Sequence, residues 1–357
     1  MKPINFSAGP SILPQFTFDK CNEALNNFAD TELSLLEVSH RGAEFVNVMT
    51  EANALVKELL SVPETHEVLF LHGGASLQFC MIPYNLLKSN QTAAYLDTGV
   101  WAKKAIKEAK IFGNIKIVGS SADKNYSYTP QIEGLTGDEA YLHVTSNNTI
   151  YGTQLHENIK TDIPLICDMS SDIFSQRIEV SKYDLIYAGA QKNLGPAGLC
   201  LVIIKKKILG KMERSIPSML DYQNHIDGKS MFNTPPVFAI FASLQTLKWI
   251  KQEGGVAEME RRNLFKSRIL YAEIERNSLF ETKVNPRDVS LMNVCFIPKK
   301  ESHLEEFINF SSERGIRGIK GHRLVGGFRA SIYNAMPIEG VEKLVEVMKE
   351  FEQSKSN

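Results

Sequence analysis

The chain has 357 residues, 43% of them apolar and 23% charged, the make-up of an ordinary soluble globular enzyme with room for about two domains. Forty basic residues stand against 41 acidic ones, a formal charge of -1, so no global field draws in nucleic acid or an anionic membrane and any anion must be bound locally. The five cysteines are scattered without CxxC spacing, which argues against a disulfide framework or a zinc site; MKPINFSAGPSILP has no apolar core of signal-peptide length, and no apolar run has the length of a membrane span.

In chain order, Gly42 to Ser61 carries helical apolar spacing, and EVLFLHGG (Glu67–Gly74) reads as a buried strand ending in glycines, with a helix opening near Ser76. Strands are predicted at Ala93–Asp97, Ile115–Val118, Ala140–Val144 and Leu165–Asp168, with a helix at Ala102–Ala109 among them. Two further apolar runs, Tyr183–Ala188 and Leu199–Ile204, flank a glycine-rich turn. Alternating strands and helices imply an α/β fold, a mainly parallel sheet with helices on both faces. The last third changes character: helices at Val237–Gln252 and Val256–Asn277, a strand at Ser290–Ile297, a helix at Leu304–Glu313, a strand at Gly327–Ile332 and a final helix at Gly340–Phe351. This predicts a smaller α+β domain of residues 1–15 and 259–357 beside a large domain of 16–258. Cys167, Cys200 and Cys295 lie inside apolar runs and read as core thiols, which fits a reducing cytoplasm.

The turn AGAQKNLGPAG places Lys192 just beyond one strand, and the preceding strand, PLICDMSS, ends on Asp168. At the carboxyl edge of a parallel sheet these two side chains can meet. Pyridoxal phosphate requires both residue types, an amine to hold its aldehyde as an imine and a carboxylate to keep its ring nitrogen protonated. Burial and neighbouring cations would lower the lysine's pKa and free it to act as a base. The alternative is a surface lysine in a polar turn and an aspartate capping a helix. In HGGASLQF, Gly73 and Gly74 permit close backbone approach, and the amides around Ala75 and Ser76 would open a helix whose N-terminus favours a phosphate. The turn lacks the GKS or GKT ending of a P-loop. Trp101 could stack on a ring or simply fill the core. Two His-Arg pairs, His40–Arg41 and His322–Arg323, together with Arg329, offer donors suited to a polyanionic ligand, although such pairs are also common on solvated surfaces.

NFSAGPSILP, EVSHRG, HGGASLQF, AGAQKNLGPAG, SMFNTPP and KGHRLVGGFRASIYNAM, in this order along nearly the whole chain, resemble the phosphoserine aminotransferase family. The resemblance implies a fold-type I pyridoxal 5'-phosphate enzyme of the class V aminotransferase group, a homodimer with sites at the subunit interface. It puts the imine on Lys192, the ring-nitrogen contact on Asp168, ring stacking on Trp101 and a ring-hydroxyl contact on Thr149. Phosphate contacts fall to Ala75, Ser76 and Gln191, and, from the partner subunit, to Asn233 and Thr234. Arg329 would bind the substrate α-carboxylate. His322, Arg323 and, from the partner, His40 and Arg41 would hold the substrate's side-chain phosphate or the glutamate γ-carboxylate.

Some family members carry an arginine directly after the glycine turn, where this chain has Ser76, so the substrate anion leans more on the His-Arg pairs. The implied reaction moves the amino group of glutamate to 3-phosphohydroxypyruvate, giving O-phosphoserine and 2-oxoglutarate in serine biosynthesis. The family also handles 4-phosphohydroxythreonine, in vitamin B6 synthesis. Two other readings stay open at the level of sequence: another class V reaction, such as alanine–glyoxylate transamination or cysteine desulfuration, and a non-catalytic phosphometabolite-binding protein. A desulfurase needs a reactive cysteine on an exposed loop, and Cys295 lies in an apolar run instead.

Overall fold

The computed structural model describes residues 3–355. Its elements, in chain order, are β1 (Ile4–Asn5), α1 (Gln15–Asn26), α2 (Ala43–Leu60), β2 (His66–His72), α3 (Gly74–Leu86), β3 (Thr92–Asp97), α4 (Val100–Ala109), β4 (Asn114–Ser120), β5 (Leu142–Thr145), β6 (Leu165–Asp168), β7 (Leu185–Gly189) and β8 (Leu199–Lys205). They continue with α5 (Tyr222–Asp227), α6 (Val237–Gln252), α7 (Gly255–Arg276), β9 (Phe280–Glu281), β10 (Asn293–Pro298), α8 (His303–Glu313), β11 (Ile316–Arg317), β12 (Phe328–Ser331) and α9 (Ile338–Lys355).

Seven strands form one sheet in the order β2-β8-β7-β6-β5-β3-β4. Only β8 runs against its neighbours; the pairs β7·β6, β6·β5, β5·β3 and β3·β4 are parallel, as the α/β pattern predicts. Both faces are buried because alternate residues supply two cores. In β8, Leu199, Leu201 and Ile203 face one core with α2 and α6, while Cys200, Val202 and Ile204 face the other with α3 and α4. Since β2 and β7 both oppose β8, their carboxyl ends emerge at the same edge as those of β3, β5 and β6. Five strand ends therefore deliver loops to one place.

A third core forms around the antiparallel sheet β12-β10-β9, covered by α7, α8 and α9. Helix α7 joins the layers: Val256 and Met259 near its start pack in the large core, and Leu270 and Ile274 near its end pack in the small one. Phe6 also packs in the small core, and β1 pairs with β11, which ties the start of the chain to its last third.

The differences from the sequence reading lie at element ends and in elements it did not predict. Helix α3 begins at Gly74, two residues before Ser76, because Gly73 and Gly74 take left-handed φ values of 82° and 58° and turn the chain straight into it. Strand β10 starts at Asn293, since Ser290 spends its hydroxyl and carbonyl on local and cross-loop hydrogen bonds. Helix α1 has no counterpart in the predicted elements: its buried stripe is the small-residue set Thr17, Cys21 and Ala24, too weak to register as apolar periodicity.

Candidate active site

Gly73, Gly74, Ala75, Ser76, Trp101, Thr149, Asp168, Gln191 and Lys192 line one cavity of about 230 Å³ at the carboxyl edge of the sheet. Each strand that reaches this edge contributes. The glycine turn follows β2, Trp101 opens α4 after β3, Thr149 follows β5, Asp168 ends β6, and Gln191 and Lys192 follow β7. Strands β6 and β7 are adjacent and parallel, with Asp168 opposite Tyr187, so the aspartate and the lysine meet as the spacing predicts.

Lys192 is 9% exposed and donates from Nζ to Thr149 Oγ1 at 2.6 Å; the same nitrogen lies 5.8 Å from the centre of the Trp101 ring. Burial pulls its pKa down to about 8, against the opposing pull of Asp168 and Asp172, with Arg329 adding to the lowering. Asp168 is pushed above the usual carboxylate range by burial, while Lys192, Ser170 and Tyr187 counter that shift. Its Oδ1 accepts from the Ser170 amide at 2.9 Å and the Ser170 hydroxyl at 2.6 Å. The lysine's main chain is held from far away in sequence: Ser11 donates its amide to the Gln191 carbonyl at 3.0 Å and its hydroxyl to the Lys192 carbonyl at 2.5 Å.

Three residues lining the cavity carry a buried polar atom with no partner among the described residues, namely Trp101 Nε1, Thr145 Oγ1 and Gln191 Oε1. Buried polar groups are ordinarily satisfied, so this is the mark of a ligand site. The first amides of α3 point no side-chain cap of their own and have no intrahelical acceptor. A Cβ at Gly73 would stand 2.7 Å from Leu77, so the tight turn that presents these amides depends on glycine. Anion-binding amides, a buried lysine and a buried carboxylate match the phosphate, aldehyde and ring nitrogen of pyridoxal 5'-phosphate.

Next to this cavity lies a larger cleft of about 580 Å³ lined by Lys124, Tyr151, His322 and Arg329 among others. Arg329, on β12, donates through Nη1 to the Thr149 carbonyl at 3.3 Å and keeps a buried Nε without a partner. His322 is held below its usual pKa by burial and then by the positive charges of Arg329, Arg323 and Lys104. Lys104 Nζ also lies 4.5 Å from the Trp101 ring centre, so a further cation stands between the two cavities. Arg323 is exposed at the rim.

The remaining predicted residues stay outside both cavities within one chain. Arg41, Asn233 and Thr234 are exposed, and His40 is half-buried with an unpartnered Nε2. The Thr234 carbonyl accepts from His72 at 2.9 Å, which fixes the FNTPP segment beside the end of β2.

Sequence reasoning misses the supporting polar network. Asn147 donates to Ser171 Oγ and to Asn293 Oδ1, both at 2.8 Å, and Asn293 donates to Tyr333 Oη at 3.1 Å, which in turn donates to the Ala8 carbonyl. Asn193, beside the lysine, accepts from the Asn334 amide at 3.0 Å. Asp172 and Ser146 form a further buried pair at 2.6 Å. Only Asp172 carries a local signal, as the second acid of DMSSD; the others are single polar residues whose partners lie from 24 to 325 positions away.

The Aminotransferase class-V family model matches residues 4–344. The phosphoserine aminotransferase of Parabacteroides distasonis is 57% identical over 355 residues, 99% of each chain. Among solved structures, phosphoserine aminotransferase from Bacillus circulans subsp. alkalophilus superposes with a TM-score of 0.96 at 41% identity over 99% of each chain. A structure described as PLP-bound phosphoserine aminotransferase from Trichomonas vaginalis does so at 0.94 and 37% identity, over 98% of this chain and all of that one. Similarity that runs through both layers and every strand end feeding the cavity leaves one conclusion: the chain belongs to the class-V aminotransferase family.

Proposed function

We propose that the chain is a phosphoserine:2-oxoglutarate aminotransferase dependent on pyridoxal 5'-phosphate. The observation that carries this reading is the buried Lys192–Asp168 pair opening beside a cleft whose charged lining residues, Lys124, Lys283 and Arg329, are all basic. Its support among relatives is the phosphoserine aminotransferase identity of sequences 57% identical over full length.

When bound, the cofactor withdraws electron density from the α-carbon of the amino acid attached to it. Lys192 holds the aldehyde end in the resting state and afterwards, as a neutral amine, carries the α-proton on Nζ. A pKa near 8 puts a useful fraction of that amine in the basic form at neutral pH. With the cofactor bound, Asp168 would hold a proton at the ring nitrogen, Thr149 would meet the ring hydroxyl, and Trp101 would wall the ring. Gln191 and the amides of Ala75 and Ser76 bind the cofactor phosphate. Arg329 takes the substrate α-carboxylate with two parallel hydrogen bonds, and His322 and Arg323 take the second anion. Glutamate and phosphoserine each place that second anion on the side chain, so one pocket serves both half-reactions.

A homodimer completes the site in this reading, with His40, Arg41, Asn233 and Thr234 crossing to the partner. Its support is apolar: Leu33 and Leu36, before the first pair, are 46% and 65% exposed, and Phe232, beside Asn233, is 44% exposed. The division of the chain at residues 15/16 and 258/259 places α7 almost wholly in the small domain. A reducing cytoplasm agrees with five free thiols, and among the described residues no helix is long and apolar enough to cross a membrane.

Desulfuration is disfavoured because Cys295 is buried, donates to the Ile150 carbonyl and has its thiol pushed up to about 12 by burial. The deciding experiment compares glutamate-dependent amination of 3-phosphohydroxypyruvate with that of unphosphorylated hydroxypyruvate. A buried anion pocket predicts kcat/KM higher by about a hundredfold or more for the phosphorylated acid. Equal values would remove the proposed role of the basic cleft.

A further inference from the structure

The turn that carries Lys192 makes few bonds of its own. Inside it the amides of Leu194 and Gly195 both go to the Ala190 carbonyl, at 3.1 and 2.7 Å, and neither goes to the carbonyl of Gln191 or Lys192. Those two carbonyls are met from the far end of the chain. Ser11 gives its amide to the Gln191 carbonyl at 3.0 Å and its hydroxyl to the Lys192 carbonyl at 2.5 Å; the same hydroxyl stands 3.3 Å from the Ile12 carbonyl, and its single proton goes to the shorter contact. Among the described residues no other donor reaches either carbonyl. The segment also lies against the lysine's stem, since a Cβ at Gly9 would stand 3.6 Å from Lys192 Cγ.

The same segment is fastened to the other layer. The Phe6 carbonyl accepts the Ser331 amide at 3.2 Å, and the Ala8 carbonyl accepts the Tyr333 hydroxyl at 2.7 Å. Ser331 ends β12, two residues past Arg329. Residues 6–11 therefore join the strand of Arg329 to the turn of Lys192, the two groups that the proposed reaction sets on the carboxylate and the α-proton of one substrate. A lysine stem is long and freely rotating, so Nζ is placed only as well as its main chain is held. A displacement of about 1 Å at a reacting group can lower a rate by about a hundredfold.

We propose that Ser11 is a positioning residue: its hydroxyl fixes the main chain of Lys192 so that Nζ stands where it can bond the cofactor aldehyde, in register with the strand that carries Arg329. This inference rests on the reading of Lys192 as the amine that holds the aldehyde. Ser11→Ala removes the bond to Lys192 and keeps the amide bond to Gln191, so the turn loses its fixation without losing its place.

The test titrates the full-length, cofactor-free protein with pyridoxal 5'-phosphate and with pyridoxamine 5'-phosphate, followed by tryptophan fluorescence. The two share ring and phosphate, but the second has no aldehyde for an amine to bond, so the ratio of their affinities isolates what Lys192 contributes. Ser11→Ala is expected to weaken pyridoxal phosphate about tenfold, the scale of a lost hydrogen bond, and to leave pyridoxamine phosphate within about twofold of wild type. Ser11→Thr keeps the hydroxyl and is expected within about threefold of wild type for both ligands. Equal weakening of the two ligands by Ser11→Ala means a general loss of structure and overturns the proposal; so does an unchanged affinity for both, or a threonine variant that behaves like the alanine one. Borohydride reduction of the wild type separates the premise from the inference. A label on a lysine other than Lys192 removes the premise, whereas a label on Lys192 with an unmoved affinity ratio in Ser11→Ala removes the role of Ser11 alone.

Discussion

Two buried lysines in this chain have been given different partners, and the partners account for their different work. Lys192 Nζ has one acceptor, the Thr149 hydroxyl, which can donate as readily as it accepts and so suits both the ammonium and the free amine. Lys266, 1% exposed, points its three protons at the carbonyls of Ile332, Tyr333 and Met336, at 2.9, 2.7 and 3.1 Å, an arrangement only the ammonium satisfies, and these bonds oppose the burial and the Arg262 charge that push its pKa down to about 7. Lys192 is thus free to lose its proton without breaking a bond. Because its pKa is lowered to about 8, capture of pyridoxal phosphate by the cofactor-free protein should speed up about tenfold per pH unit below that value and level off above it. Stopped-flow absorbance over a pH series reads this directly; a rate still climbing near pH 10, where an ordinary lysine titrates, contradicts a perturbed amine. Borohydride reduction should fix the cofactor to the wild type and leave Lys192→Ala unlabelled, as mass spectrometry will show.

At the level of elements, α7 carries the weight of joining the two layers, and Lys266 is its anchor on the loop after β12. That loop supplies Asn334, which reaches back to Asn193 beside Lys192. Lys266→Met leaves three buried carbonyls without their donor, and a loss of about 2–4 kcal/mol in urea unfolding is expected. A change under about 0.5 kcal/mol would mean that water takes the place of the ammonium. The elements that a reader can find in the sequence are those whose pattern is set by their own residues: β2 and β8, apolar on both faces, and α2, with a full apolar stripe. Lys192 and Asp168 are legible for the same reason, as charged residues at the ends of such runs. Helix α1, β1 and β11 are not, because small residues and two-residue strands acquire their meaning only from what they pack against. The Asn147–Asn293–Tyr333 network is equally silent, since each member is an unremarkable polar residue until the fold brings the three together.

The whole molecule, as one chain, leaves His40, Arg41, Asn233 and Thr234 outside both cavities. If His40 and Arg41 act in the partner's site, co-expressing Lys192→Ala with a His40→Ala/Arg41→Ala double variant rebuilds one intact site in each mixed dimer. Statistical mixing then returns about a quarter of wild-type activity, although each parent alone has almost none. No recovery in purified mixed dimers would place those residues in their own subunit's site. One more consequence follows from the way the chain's opening segment is used. Ile4 pairs with Ile316, Ala8 receives the hydroxyl of Tyr333, and Ser11 binds the main chain at Lys192. On the ribosome, residues 4–11 emerge long before Ile316 and Tyr333, and the turn at Lys192 waits for both before it is held in place. Vitamin capture is therefore expected to be a late event, closing the fold only after residues 316–333 have been made.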